Sequence, residues 1–145
     1  DTSACTYRVI GHERLIPMTG LKADGTPCAQ LPGTRSSQCL GWRTPNGGLL
    51  GSAVKAHLAR LPQSTCLTAQ SENLYAAGIK ELVLLGYGMS WLPERNVAAE
   101  LANGTLVRAG DSRWDVPMEL RLYRHQSQHH AELDSLWSEL TPPRS

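Results

Sequence analysis

Leu50, Val54, Leu58 and Leu61 recur at helical spacing, so they predict an amphipathic helix laid on a sheet and stopped by Pro62. A second helix is predicted over residues 74–85, with Asn73 as its N-cap and Ile79, Leu82, Val83 and Leu85 buried. The next residues, Gly86-Tyr87-Gly88-Met89-Ser90-Trp91-Leu92-Pro93-Glu94, compress three signals into nine positions. Glycines end a helix, a short apolar strand follows, and proline opens another helix. That helix, over residues 93–102, turns Val97 and Leu101 inward and stops at Gly104. Strand character is predicted at both ends of residues 7–18, around Val9, Ile10, Leu15 and Ile16, and over 38–43 and 65–71. Residues 116–123 set Val116, Met118, Leu120 and Leu122 against Pro117, Glu119, Arg121 and Tyr123, the period of a half-buried strand. Leu133, Leu136, Trp137 and Leu140 mark a final helix closed by Pro142 and Pro143. Alternating strands and helices predict an α/β layer protein with a largely parallel sheet.

The chain has 145 residues, 41% of them apolar and 19% charged, with a formal net charge of +1, and it has no Lys/Arg run. Phosphate backbones are gripped by clustered basic faces, so this segment by itself is not expected to bind DNA. The apolar run Leu82-Val83-Leu84-Leu85 is far shorter than the roughly 20 residues of a membrane span, and no membrane partner is expected. The N-terminus has neither an initiator Met nor the pattern of a signal peptide, so the chain is read as a piece of something larger. Cys5, Cys28, Cys39 and Cys66 match no metal or redox spacing and read as reduced, small apolar side chains.

The strongest binding signal is Arg43-Thr44-Pro45-Asn46-Gly47-Gly48, between a predicted strand end and a predicted helix start. Open parallel sheets take ligands there, where unpaired N–H groups and the helix dipole favour an anion. Arg43 offers a bidentate fork to a carboxylate, Thr44 and Asn46 offer hydrogen bonds, and Gly47 and Gly48 permit close backbone approach. A helix-starting turn with a solvated Arg43 explains the same residues without a ligand. The turn lacks the Gly-Lys-Ser/Thr of a phosphate loop, and Gly86-Tyr87-Gly88 lacks the third glycine of a dinucleotide fingerprint. His125, His129 and His130 have no third metal ligand at an obvious spacing, and Ser52 and His57 have no nucleophile elbow around them. No catalytic residue, metal or cofactor is therefore expected.

In order and local wording, the elements resemble the effector-binding domain of LysR-type transcriptional regulators. The resemblance rests on Gly11-His12-Glu13-Arg14-Leu15-Ile16-Pro17-Met18, on residues 79–93 ending in Gly86-Tyr87-Gly88-Met89-Ser90-Trp91-Leu92-Pro93, and on Glu100-Leu101-Ala102-Asn103-Gly104-Thr105-Leu106-Val107. Within the family, residues 88–94 look most like hypochlorite-responsive members, although the methionines those regulators use have no obvious counterparts among Met18, Met89 and Met118. The resemblance implies a type II periplasmic-binding-protein-like fold of two Rossmann-like subdomains. One is complete over residues 19–107; the other is incomplete, made of residues 1–18 and 108–145. It further implies a small-molecule effector in the inter-subdomain cleft and a cytoplasmic homo-oligomer. DNA would be bound only through a winged helix-turn-helix domain absent from these residues. Effector contacts at the second subdomain's turns would fall on Thr44, Asn46, Gly47, Gly48 and a turn from Ser71 to Asn73. Leu133, Leu136, Trp137 and Leu140 would lose part of their cover, which implies self-association. A transport-type solute-binding protein shares the same lobes and is the alternative.

Overall fold

A long strand, β1 (Cys5–Thr19), is continuous through the polar trio His12, Glu13 and Arg14, which lies between the two ends where the sequence shows strand character. In this computed structural model, residues 4–32, 38–42, 49–61, 68–73, 76–127 and 129–140 are described. After β1 come β2 (Gln38–Trp42), α1 (Leu49–Arg60), β3 (Thr68–Asn73), α2 (Ala76–Leu84), β4 (Met89–Pro93), α3 (Ala98–Asn103), β5 (Val107–Arg108), β6 (Val116–His125) and α4 (Ala131–Glu139). Single 3-10 turns occupy Glu94–Asn96 and Ser112–Trp114.

The sheet order is β3-β2-β4-β1-β5, with β6 also pairing β1. β2 runs parallel to β3 and β4, whereas β1 is antiparallel to β4 and β5. The sheet is therefore mixed rather than largely parallel. The cause is β1, which runs against the direction of β4 and β5 and pairs with both.

The chain divides into two units, Arg14–Val116 and the pair Asp1–Glu13 with Pro117–Ser145. The core of the first unit gathers Ile16, Met18, Ile79, Val83, Leu92, Val97 and Leu106, with Leu82, Leu84 and Leu101 packed against it. Ile16 pairs with Leu92 across β1 and β4, so their side chains share one face and meet α2 and α3. On the alternate face, the buried Trp91 indole donates to the Trp114 carbonyl at 2.8 Å. His57 of α1 shares a 3.0 Å hydrogen bond with the neighbouring Arg113 carbonyl, so α1 covers that side. Trp91→Phe keeps the ring but strands a buried carbonyl, and urea unfolding should show a loss of about 1–2 kcal/mol. A loss equal to that of an exposed control would mean the indole hydrogen bond contributes nothing.

Several local expectations are corrected. Pro93 is extended, with φ −57° and ψ 129°, so it ends β4 instead of opening a helix. Only after Val97, itself fully buried, does α3 begin, and it stops at Gly104 in the left-handed region (φ 78°). Ser71 and Asn73 lie within β3, not in a turn, because the strand extends to Asn73. Residues 65–67 and 74–75 of the predicted strand and helix lie outside the described residues. Leu85 is exposed, because the α-helix ends at Leu84 and the chain turns through Gly86 (φ 86°). Met18 and Met89 are fully buried in the core whereas Met118 is only partly buried, and Cys5 and Cys28 are free thiols.

In the other unit, α4 packs on the β1–β6 ribbon through Trp137, whose ring lies 5.2 Å from the Arg8 guanidinium and 5.9 Å from that of Arg124. Arg8 also donates to the Leu140 carbonyl at 2.7 Å, and Arg124 pairs with Asp134. Tyr7 and Tyr123 stand 5.5 Å apart with Arg121 over Tyr7. The predicted inward stripes are only partly covered. Seven of the ten large exposed apolar side chains among the described residues belong to this unit: Tyr7, Ile10, Leu120, Leu122, Tyr123, Leu133 and Leu136.

Candidate functional site

Strands β2, β3 and β4 are parallel, so their C-terminal ends form one edge of the sheet in the Arg14–Val116 unit. Register brings Asn73 of β3 opposite Trp42, the last residue of β2, and Ser71 opposite Leu40. The two segments that carry the sequence-predicted contacts thus emerge from adjacent strand ends. Arg43, Thr44, Asn46, Gly47 and Gly48 themselves lie outside the described residues, and α1 begins directly after them at Leu49.

β4 reaches the same edge and adds residues that no motif announced. Glu94 follows its last residue, Pro93, and receives two hydrogen bonds from Arg14, at 3.0 Å from Nε and 2.9 Å from Nη2. The pairing of Leu15 with Pro93 sets Arg14 beside Glu94, because the strands are antiparallel there. Nη1 of Arg14 lies 3.8 Å from Oδ2 of Asp115, a buried carboxylate that is also paired with Arg108. Arg108 is steadied in turn by the Gly110 carbonyl at 3.1 Å. The result is a chain of alternating charge, Glu94–Arg14–Asp115–Arg108. Its outer pair is half-exposed and its inner carboxylate enclosed. The only sequence sign was a polar interruption at residues 12–14 inside an apolar strand. Its partners are 80 and about 100 residues away, so no local pattern could name them.

A separate concavity lies between α2 and the 3-10 turn after β4, lined by Ala77, Lys80, Leu92, Asn96 and Val97. Lys80 pairs with Glu100 at 2.5 Å and donates to the Asn96 carbonyl at 2.9 Å. The Lys80 hydrogen bond is the main reason the Glu100 carboxyl is held below its ordinary range. Asp111 is lowered in the same way by Arg113. Both are local ion pairs and belong to neither the strand-end edge nor the Arg14 chain of charges.

The histidines do not share a helix face. His125 ends β6 and bonds through Nδ1 to the Ser127 hydroxyl at 2.6 Å, while His129 and His130 precede α4. Among the described residues, no three His, Cys, Asp or Glu side chains gather to hold a metal ion. No helix there is long and apolar enough to cross a membrane.

Residues 2–142 match the family described as LysR substrate binding domain. A curated relative, the HTH domain-truncated transcriptional regulator QseD of Escherichia coli O157:H7, is 27% identical over 104 residues, which is 66% of this chain and 43% of that protein. Full-length HypT from Salmonella typhimurium, a hypochlorite-specific LysR-type regulator, superposes with a TM-score of 0.80 at 18% identity, covering 95% of this chain and 46% of that one. DarR of Vibrio fischeri, solved in complex with DNA, gives 0.74 at 22% identity over 95% of this chain and 45% of that one. The chain therefore spans less than half the length of these relatives, and the likeness to the two structures is one of fold.

Proposed function

We propose, from the premise that this chain belongs to the LysR substrate-binding domain family, that it senses a small anionic molecule at the C-terminal edge of β2, β3 and β4. The family consists of effector-binding regulatory domains, which favours this reading over a transport solute-binding protein. The observation that carries the edge assignment is the register placing Asn73 beside Trp42, so that the segments after β2 and at the end of β3 start together. Arg43, Thr44, Asn46, Gly47, Gly48, Ser71 and Asn73 are the proposed contacts. Arg43 supplies the charge and the fork, the small residues supply room, and the hydroxyls and amides fix orientation. No catalytic step is part of the proposal. Binding shifts the population between two arrangements of the regulator, and a DNA-binding domain outside these residues reads the change in the cytoplasm.

Arg43→Ala or Asn46→Asp should weaken the binding of a small carboxylate, followed by calorimetry with benzoate, by about tenfold or more without unfolding the protein. Unchanged affinity in both variants would remove these residues from the site. Self-association belongs to the same proposal, because the unit containing α4 leaves Leu120, Leu122, Leu133 and Leu136 exposed. Sedimentation velocity should show a species heavier than 15.8 kDa. A monomer at high concentration would contradict it. The hypochlorite response of HypT is not carried over, since 18% identity conveys the fold alone.

A further inference from the structure

We propose that Arg14 is a further anion-binding residue at this edge, its guanidinium exchanging between the Glu94 carboxylate and the carboxylate of a small-molecule ligand. The inference rests on the reading of an anionic ligand and adds a residue that the reading did not contain. Three observations carry it. Arg14 presents its Nε and Nη2 fork to Glu94 at 3.0 and 2.9 Å, the side-on bidentate geometry by which guanidinium groups take ligand carboxylates. The pair stands at the end of β4, on the edge where parallel strands take ligands, and both side chains are half-exposed, at 53% and 40%. Finally, Arg14 is tethered unequally. Its backbone adjoins the fully buried Leu15, and its Nη1 lies 3.8 Å from an Asp115 that burial and Arg108 hold in place. Glu94 instead starts a single 3-10 turn at the surface.

Exchange is therefore inexpensive. An exposed ion pair shifts an equilibrium by no more than about fivefold, so a ligand carboxylate held by even one further contact can displace Glu94. Replacing one carboxylate by another leaves the charge balance of the Glu94–Arg14–Asp115–Arg108 chain unchanged, and Asp115 keeps the guanidinium oriented while Glu94 swings into solvent. Glu94 then acts as a built-in competitor. It keeps Arg14 aligned and demands that a ligand offer more than charge alone.

The two partners should respond with opposite sign. The Arg14 Nε–H signal in nitrogen–proton correlation spectra of the 145-residue chain is followed during titration with benzoate. We expect a saturable shift, tightened about two- to fivefold in Glu94→Gln, where the internal competitor loses its charge, and, read by calorimetry with benzoate, an affinity in Arg14→Ala reduced about tenfold. If the pair serves only to fix the β1–β4 register, both variants lower the melting temperature alike and bind benzoate as the parent does; that result overturns the proposal. Weakened binding in Glu94→Gln also overturns it. Loss of binding in Arg43→Ala with parent-like binding in Arg14→Ala and Glu94→Gln removes this inference alone. No saturable benzoate response in the parent protein removes the anionic-ligand reading with it.

Discussion

Leu92→Ala should cost about 3–4 kcal/mol and lower the melting temperature by roughly 10 °C. Leu92 is 1% exposed and stands opposite Ile16 in the middle of the cluster formed with Met18, Ile79, Val83, Val97 and Leu106. The truncation removes three carbons whose neighbours belong to β1, α2 and the segment leading into α3. These are held by separate backbone constraints and cannot all close inward, so most of the void persists and its cost adds to the lost transfer energy. Leu85→Ala provides the control, because Leu85 is 71% exposed and should change stability by about 0.5 kcal/mol or less. Urea titrations of both variants decide the matter. Equal midpoints would mean that the helix–sheet contact is not where the protein holds its core.

Gly20→Ala should destabilise by about 2–3 kcal/mol, although it adds a single methyl group. A Cβ at Gly20 would lie 2.6 Å from the Val83 carbonyl oxygen and 3.7 Å from the Gly86 Cα. The obstructing atom is backbone, not the end of a flexible side chain. That same carbonyl also accepts the Gly86 N–H at 3.0 Å, a bond that finishes α2. The methyl group must therefore push the last turn of α2 off the end of β1 or break its terminating hydrogen bond. Gly25→Ala separates crowding from backbone preference. Gly25 has φ 83° with open space around it, so alanine there pays only for the left-handed conformation, about 1–2 kcal/mol. Thermal unfolding that ranks Gly25→Ala as the more damaging change would contradict the close approach of β1 and α2.

Legibility in the sequence followed the range of the forces involved. The helix end at Gly86, the strand over Met89 to Leu92 and the stop at Gly104 depend on neighbours a few residues away, and all three stand where the pattern put them. Pro93 shows the limit. Its fixed φ suits both a helix start and an extended strand end, and the pairing of Leu15 with Pro93 decided for the strand. Leu133 and Leu136 show another. Periodicity defines an apolar stripe but not whether a neighbour covers it, and in α4 it is Trp137, between Arg8 and Arg124, that faces the ribbon.

For the candidate site, local turn chemistry pointed to residues 43–48, which follow β2, while Ser71 and Asn73 came from the family resemblance and belong to the end of β3, the strand parallel to it. The pairing of Arg14 with Glu94, 80 residues apart, had no local signature. By itself, then, the sequence determined the order of the elements, their punctuation by glycine and proline, and the family, because each is written in short-range spacing and wording. Only the tertiary structure decided that β1 runs as one strand against β4 and β5, and that a half-exposed arginine meets a glutamate at the strand ends. Strand direction and charge partners are settled by which distant segments compete for the same edge and the same buried volume, and no window along the chain contains both competitors.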